Sequence, residues 1–351
     1  MKKLAVAFIL LLIVAGIAVA AAEILRPYQG YAGQVIVEIP PGMQAPQVAG
    51  LLASKGVLAR RWPFLLIYGA GRWRRHLEAG EYLFDQPLSP LDVYRKLIRG
   101  QVYLRTVVIP EGSNRFDIAR ILENRLGVSA ENFIEATSDP AAIRDLDPQA
   151  PSLEGYLFPD TYRFEYRTSA AHVAARMLDQ FREVYKEDFR KDLAGSDLDL
   201  HQVMTLASLV EKETPDRPER PIVAQVFELR LKKGMLLQCD PTVLYAADLE
   251  GHPIKTITEN DLQAESPYNT YLHPGLPPGP IANPGAASIR AVLHPAATRF
   301  LYFVSNNHGG HTFARTLAEH RRNVARYREQ VAVLRRSAPD AKSNRIRKHR
   351  R

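Results

Sequence analysis

Leu198 to Thr214 reads LDLHQVMTLASLVEKET. Apolar or small side chains fill it almost without a break from Val203 to Val210, and Glu211, Lys212 and Glu213 follow directly. The run is too apolar for a solvated helix and too short to cross a bilayer, so it predicts a helix buried inside a folded domain. Asp197 and Asp199 are candidate N-caps. Glu211 falls one turn beyond Ala207 and two beyond Met204, and so continues an apolar face rather than the wet one. A buried glutamate needs a partner. Periodicity leaves two readings open: a frayed helix end with a solvated Glu-Lys-Glu cluster, or a carboxylic acid raised in pKa by an apolar wall and available as a general acid.

Outward from this helix the chain changes texture twice. Upstream, Thr168 to Asp192 predicts a long amphipathic helix, broken at Gly195 and Asp197. Downstream, Pro218 to Lys233 predicts another, with Gly234 as its C-cap after Lys232 and Lys233. From Met235 the periodicity weakens, and polar or aromatic residues sit among glycines and prolines: Gln238-Cys239-Asp240-Pro241-Thr242, Ser266-Pro267-Tyr268-Asn269-Thr270-Tyr271, Gly275-Leu276-Pro277-Pro278-Gly279-Pro280-Ile281 and Asn283-Pro284-Gly285. Long irregular segments cost entropy and usually serve a site or a lid. Tyr and Asn at this density suit a sugar polymer, and they suit a rigid scaffold loop too. A short helix from Ser288 to His294, a strand from Leu301 to Ser305 and a last helix from Leu317 to about Leu334 complete the region.

The N-terminal side is organised differently. Lys2 and Lys3 precede nineteen uncharged residues, Leu4 to Ala22, a run about 28 Å long as a helix and close to bilayer thickness. We expect a retained transmembrane helix at 4–22, with residues 1–3 in the cytoplasm and the bulk outside the inner membrane. A cleaved signal peptide competes, but its apolar core is usually shorter. After a linker at 23–33, a strand (Gln34 to Ile39), helices (Ala45 to Lys55, Arg61 to Tyr68), a strand at Tyr82 to Phe84 and a helix (Pro90 to Ile98) are expected. Ile39-Pro40-Pro41-Gly42 recurs as Ile109-Pro110-Glu111-Gly112, and the Leu77 to Asp85 stretch is echoed from Leu153 to Asp160. These matches predict two small duplicated βααβ modules, 34–100 and 101–168, whose element order resembles LysM, a module known for binding N-acetylglucosamine polymers. The fold expected is therefore α+β: an anchor, two modules, then a helix-rich catalytic domain at 169–334 with long polar loops.

Of the 351 residues, 46% are hydrophobic and 24% charged, and the formal net charge is +8. A basic tail, 335–351, holds eight Lys or Arg against one Asp and is read as disordered. The rest is near neutral, and outside the membrane the tail has no nucleic acid to meet; anionic envelope polymer or lipid is its counterpart, or it only solubilises. The lone cysteine, Cys239, offers neither a disulfide nor a zinc site and reads as a small buried apolar residue.

Taken in order, Ala207-Ser208-Leu209-Val210-Glu211-Lys212-Glu213-Thr214, Asp240-Pro241-Thr242, Tyr268-Asn269-Thr270-Tyr271, Asn283-Pro284-Gly285, His294-Pro295, Leu301-Tyr302-Phe303-Val304 and Gly310-His311-Thr312-Phe313 resemble the YceG-like family of endolytic murein transglycosylases. Glu154-Gly155-Tyr156-Leu157-Phe158-Pro159-Asp160-Thr161-Tyr162 belongs to the same pattern, and the resemblance spans roughly Gln34 to Tyr327. It implies a membrane enzyme that cuts peptidoglycan glycan strands internally and leaves a 1,6-anhydro-muramic end. It also implies an association with the cell-wall synthesis machinery that ends strand growth. The catalytic residue it carries over is the first glutamate of the run, Glu211.

One carboxyl suffices for that chemistry, because the attacking atom is the substrate's own C6 hydroxyl; no metal or cofactor is called for. Glu213, about 160° round the helix, is expected to be structural. Tyr268, Asn269 and Tyr271 are candidate sugar contacts, and Asp240 holds a loop or orients substrate. His294 and His311 could touch substrate but lack a third ligand for zinc. Two rivals remain: a non-catalytic peptidoglycan-binding protein, and a hydrolytic muramidase using Asp240 or Glu265 as a second acid.

Overall fold

The structure is a computed structural model that describes residues 2–71 and 76–337. The chain divides into two compact units, Met1–Thr106 with Arg163–Thr168, and Val107–Tyr162 with Ser169–Arg351.

The first unit begins with helix α1 (Lys2–Leu25), which buries none of its residues and is, among the described residues, the one helix long and apolar enough to span a bilayer. A single N-terminal apolar helix of this kind is consistent with a membrane anchor. Strand β1 (Val35–Ile39) is followed by α2 (Ala45–Ser54), α3 (Trp62–Gly71), strand β2 (Gly80–Phe84) and α4 (Pro90–Ile98). β1 and β2 pair antiparallel from Val35 opposite Phe84 to Ile39 opposite Gly80. Their inward Val37, Ile39, Tyr82 and Phe84 form one core with Val48 and Leu52 of α2, Phe64 of α3, and Val93 and Leu97 of α4. Ser89 caps α4 by accepting the Asp92 N–H at 3.2 Å.

Strands β3 (Arg105–Val108) and β4 (Thr161–Phe164) form a second two-stranded sheet, and the chain between them, in the second unit, carries α5 (Arg115–Leu126) and α6 (Ala130–Ser138). Then α7 (Ala170–Val184) runs through a π turn at Tyr185–Phe189 into α8 (Arg190–Ala194), so the long helix expected from Thr168 is present but under-wound near its end. Helices α9 (Leu200–Glu213), α10 (Arg220–Lys232), α11 (Asp240–Leu249) and α12 (Ala286–Leu293) follow, then the hairpin β5 (Tyr302–Ser305) with β6 (His311–Ala314), and finally α13 (Leu317–Ser337). The stretch at Leu198 to Thr214 is the buried helix its composition predicts. Asp199 caps α9 by accepting the Gln202 N–H at 2.8 Å, and every residue from Val203 to Val210 is buried, with α10, α11 and α12 packed round it.

Two expectations need correction. Helix α11 opens the polar region after Met235, where weak periodicity concealed it; Pro241 sits in its first turn, where a missing N–H costs nothing. More importantly, duplicated LysM-like βααβ modules are not discernible. The repeated Ile-Pro-X-Gly motif is a shared turn, with Gly42 and Gly112 at φ +79° and +76°. The longer echo does not hold: Leu77 to Asp85 supplies strand β2, whereas Leu153 to Asp160 is a buried turn, and residues 107–162 belong to the same compact unit as α9. The basic tail lies outside the described residues from 338 onward.

Candidate active site

The C-terminal end of α9 delivers its two glutamates into different surroundings, as their separation round the helix requires. Glu211 accepts two hydrogen bonds from the Arg220 guanidinium, at 2.8 and 3.2 Å, and a third from the Gly285 N–H at 3.0 Å. Both side chains of that pair are at most 5% exposed. Arg220 also lies 3.6 Å from Glu111, which reaches Arg217 at 3.5 Å. The apolar wall expected behind Glu211 is present in Met204 and Ala207, but its carboxyl oxygens face a cation and a backbone donor.

Glu213 keeps some exposed surface as a residue, yet burial of its carboxyl pushes the pKa up to about 6. The Cys239 thiol donates to that carboxyl, and the charges of Asp240, His311 and Arg230 act on it. Burial in turn pushes the Cys239 thiol well up, so the cysteine is a neutral donor here and not a nucleophile. Tyr271, half-buried, donates its hydroxyl to Asp240 Oδ1, and the Glu213 charge also acts on it. His311 Nδ1 lies 2.7 Å from Glu219 Oε2, while its N–H donates to Glu219 Oε1 at 2.8 Å. Arg230 is fixed by the carbonyls of Leu237 and Leu301, at 2.7 Å each.

Over residues 37–326 the chain matches the family described as the YceG-like family. It belongs to that family. It is 33% identical over 309 residues to an endolytic murein transglycosylase of Bacillus subtilis (strain 168), a match covering 84% of each chain. An endolytic murein transglycosylase of Streptococcus pneumoniae (strain D39) is 28% identical over 322 residues, covering 84% of this chain and 58% of that protein. The crystal structure of a YceG-like protein from Listeria monocytogenes superposes with a TM-score of 0.56 at 31% identity, covering 82% of this chain and 98% of the other.

In this YceG-like chain the motif residues separate into a site and its scaffold. Asp240 and His311 lie near enough for their charges to act on Glu213, and Tyr271, which bonds Asp240, is acted on in turn by Glu213. Tyr268 and Asn269 do not face it. Tyr268 is buried edge-on against Tyr245, with ring centroids 5.1 Å apart. Asn269, also buried, donates its amide to the carbonyls of Leu262 and Ala264, at 3.1 and 2.8 Å, and accepts the Tyr271 N–H. That amide shapes the loop that presents Tyr271. His294 pairs with Asp192 at 2.8 Å on an exposed surface. Glu265 is likewise exposed, beside His273.

Sequence reasoning missed Arg220, Glu219 and Arg230, which carry no local signal in α10 and the turn before it beyond being charged. It also undervalued Asn283 and Glu154. The Asn283 side chain accepts the N–H groups of Gly155 and Leu157 at 2.9 Å, and donates to Ser113 O and Glu154 Oε1 at 2.9 and 2.8 Å. Glu154, buried, also accepts the Arg115 N–H, and burial pushes its pKa up to about 7. One amide thus ties the loop before α12 to the 112–115 and 154–157 turns.

Proposed function

We propose that this YceG-like chain is a lytic transglycosylase of peptidoglycan, cleaving internal bonds between N-acetylmuramic acid and N-acetylglucosamine in glycan strands. The observation that carries the reading is Glu213: an enclosed carboxyl with its pKa at about 6, grouped with Asp240, Tyr271 and His311 in a family whose relatives are murein transglycosylases.

The resemblance alone puts the proton on Glu211, but the geometry favours Glu213. A general acid must hold its proton near the working pH and present it to substrate. Both Glu211 oxygens are taken by Arg220, one of them also by Gly285, and no acceptor on a substrate can displace that buried pair cheaply. Glu213 donates its proton to the glycosidic oxygen as the C1–O bond breaks. The C6 hydroxyl of the same muramic residue attacks C1 and closes the 1,6-anhydro ring. Its proton passes to the Glu213 carboxylate, which restores the acid. The nucleophile is tethered, so no water need be positioned and its effective concentration is high. Asp240, held by Tyr271, is placed to orient sugar hydroxyls. Glu211 with Arg220 and Glu111 clasps the Gly285 turn.

With α1 as an anchor, the second unit would work outside the membrane, within reach of strands leaving the cell-wall synthesis machinery. A hydrolytic muramidase is the second reading, because Asp240 beside Glu213 offers a second carboxyl. Mass spectrometry of glycan strands treated with the purified protein tests the proposal. Anhydro ends are expected; reducing ends would transfer the reading to hydrolysis, and uncut strands would leave a binding protein.

A further inference from the structure

Helix α3 carries a solvent-facing stripe that water does not explain. Trp62, Leu66, Gly69 and Ala70, spaced i, i+4, i+7 and i+8, are all exposed, Trp62 by 40% and Leu66 by 50%, and no charged side chain interrupts them. The opposite side, Pro63 and Phe64, is buried in the first unit. A surface helix ordinarily puts its polar residues on the outward face; here both faces are apolar. Ten residues are too few to cross a bilayer, so a second apolar phase is needed only at the surface.

Two further observations say which phase. First, α3 and α4 pack against α1, the helix apolar enough to span a bilayer, so the stripe is tied to the element that enters the membrane. Second, the charge beside the stripe is basic. Arg60 and Arg61 are exposed directly before the N-terminus of α3, where the helix dipole is already positive, and the first turn holds no acidic residue. Where α1 ends, a cleft of about 220 Å3 lies among Glu23, Arg26, Tyr28, Arg60 and Pro63. Glu23 reaches Arg60 only at 4.0 Å, and Arg26 is exposed. Tryptophan flanked by arginines at the end of a spanning helix has the chemistry of the headgroup layer.

We propose that α3 is an interfacial helix: Trp62, Leu66 and Ala70 rest in the surface of the bilayer that holds α1, and Arg26, Arg60 and Arg61 engage the phosphates of anionic lipid. The inference rests on α1 being retained in the membrane. It makes the first unit a membrane-seated base rather than a free tether, and the arginines give it a preference for anionic over zwitterionic lipid.

The test uses the full chain reconstituted into phosphatidylcholine vesicles with and without 30% phosphatidylglycerol. The chain has two tryptophans, so Trp73→Phe leaves Trp62 as the single reporter. Lipids brominated near the headgroup end of the acyl chain should quench Trp62 emission at least two-fold, and acrylamide from the water should quench it several-fold less than free indole. Leu66→Glu, at an exposed position that the fold tolerates, should abolish the bromolipid quenching. Arg60→Gln with Arg61→Gln should remove the extra quenching gained from phosphatidylglycerol. Trp62 fully open to acrylamide and untouched by bromolipid, in protein that still floats with alkali-washed vesicles, overturns the interfacial helix while the anchor stands. Protein that does not float after the alkaline wash overturns the anchor and the inference together.

Discussion

Arg220 grips Glu211 with both terminal nitrogens, at 2.8 and 3.2 Å, in a pair that is almost wholly buried. The pair joins the last turn of α9 to the first residue of α10, and the Gly285 N–H extends it to the start of α12. Removing one partner leaves an uncompensated charge inside the unit. Arg220→Ala is therefore expected to cost about 3–5 kcal/mol, read from urea unfolding, whereas a paired Glu211→Met with Arg220→Met change should cost much less. Equal costs for the single and double changes would mean the pair is not a coupled unit.

The two glutamates should separate by activity. Glu213→Gln removes the proposed proton and should lower turnover of glycan strands by about three orders of magnitude or more, with the fold intact. Glu211→Gln should lose stability first and keep measurable turnover in the folded fraction. Full turnover from folded Glu213→Gln would return the acid role to Glu211.

Turnover should also follow the Glu213 pKa of about 6. The acid form is the one that starts the reaction, so kcat/KM is expected to fall as pH rises through about 6, approaching tenfold per pH unit above it. A profile flat from pH 5 to 8 would contradict the assignment.

Glu154 supplies a stability signature of its own. Its folded pKa, about 7, stands above the model-peptide value of 4.5, so the folded state holds the proton more tightly. The stabilisation is complete below about pH 4.5 and is lost as pH rises through about 7, a change of about 3 kcal/mol for a shift of this size. Between pH 4.5 and 8 the wild-type melting temperature should fall more steeply than that of Glu154→Gln. Parallel curves would show that Glu154 does not titrate in this range.

Gly155 marks where backbone and packing both demand glycine. Its φ is +90°, and a β-carbon there would stand 2.4 Å from Pro280 Cγ, a rigid ring that cannot swing away. Gly155→Ala should cost about 2–4 kcal/mol by denaturant unfolding and should loosen the Asn283 tie. An unchanged midpoint would refute the close approach.

What the sequence by itself determined is what short-range chemistry dictates. The apolar run before Glu211 specifies a buried helix, Asp199 its start, and the glycine-proline stretches after Met235 the irregular loops, because burial periodicity and turn residues act within a few positions. The apolar run near the N-terminus is long enough to span a bilayer by the same local logic. Local likeness also misled. Ile-Pro-X-Gly is one turn used twice, and nothing within four residues distinguishes a repeated turn from a repeated module.

Only the tertiary structure decided what surrounds each glutamate. Arg220 is nine positions from Glu211, Gly285 lies 74 away, and Asn283 is 129 from the Glu154 it bonds. It also buried Tyr268 against Tyr245 and turned the Asn269 amide onto loop carbonyls. A carboxyl's behaviour depends on the solvent it loses and the donors it meets, and both are set by segments that folding brings together from across the chain.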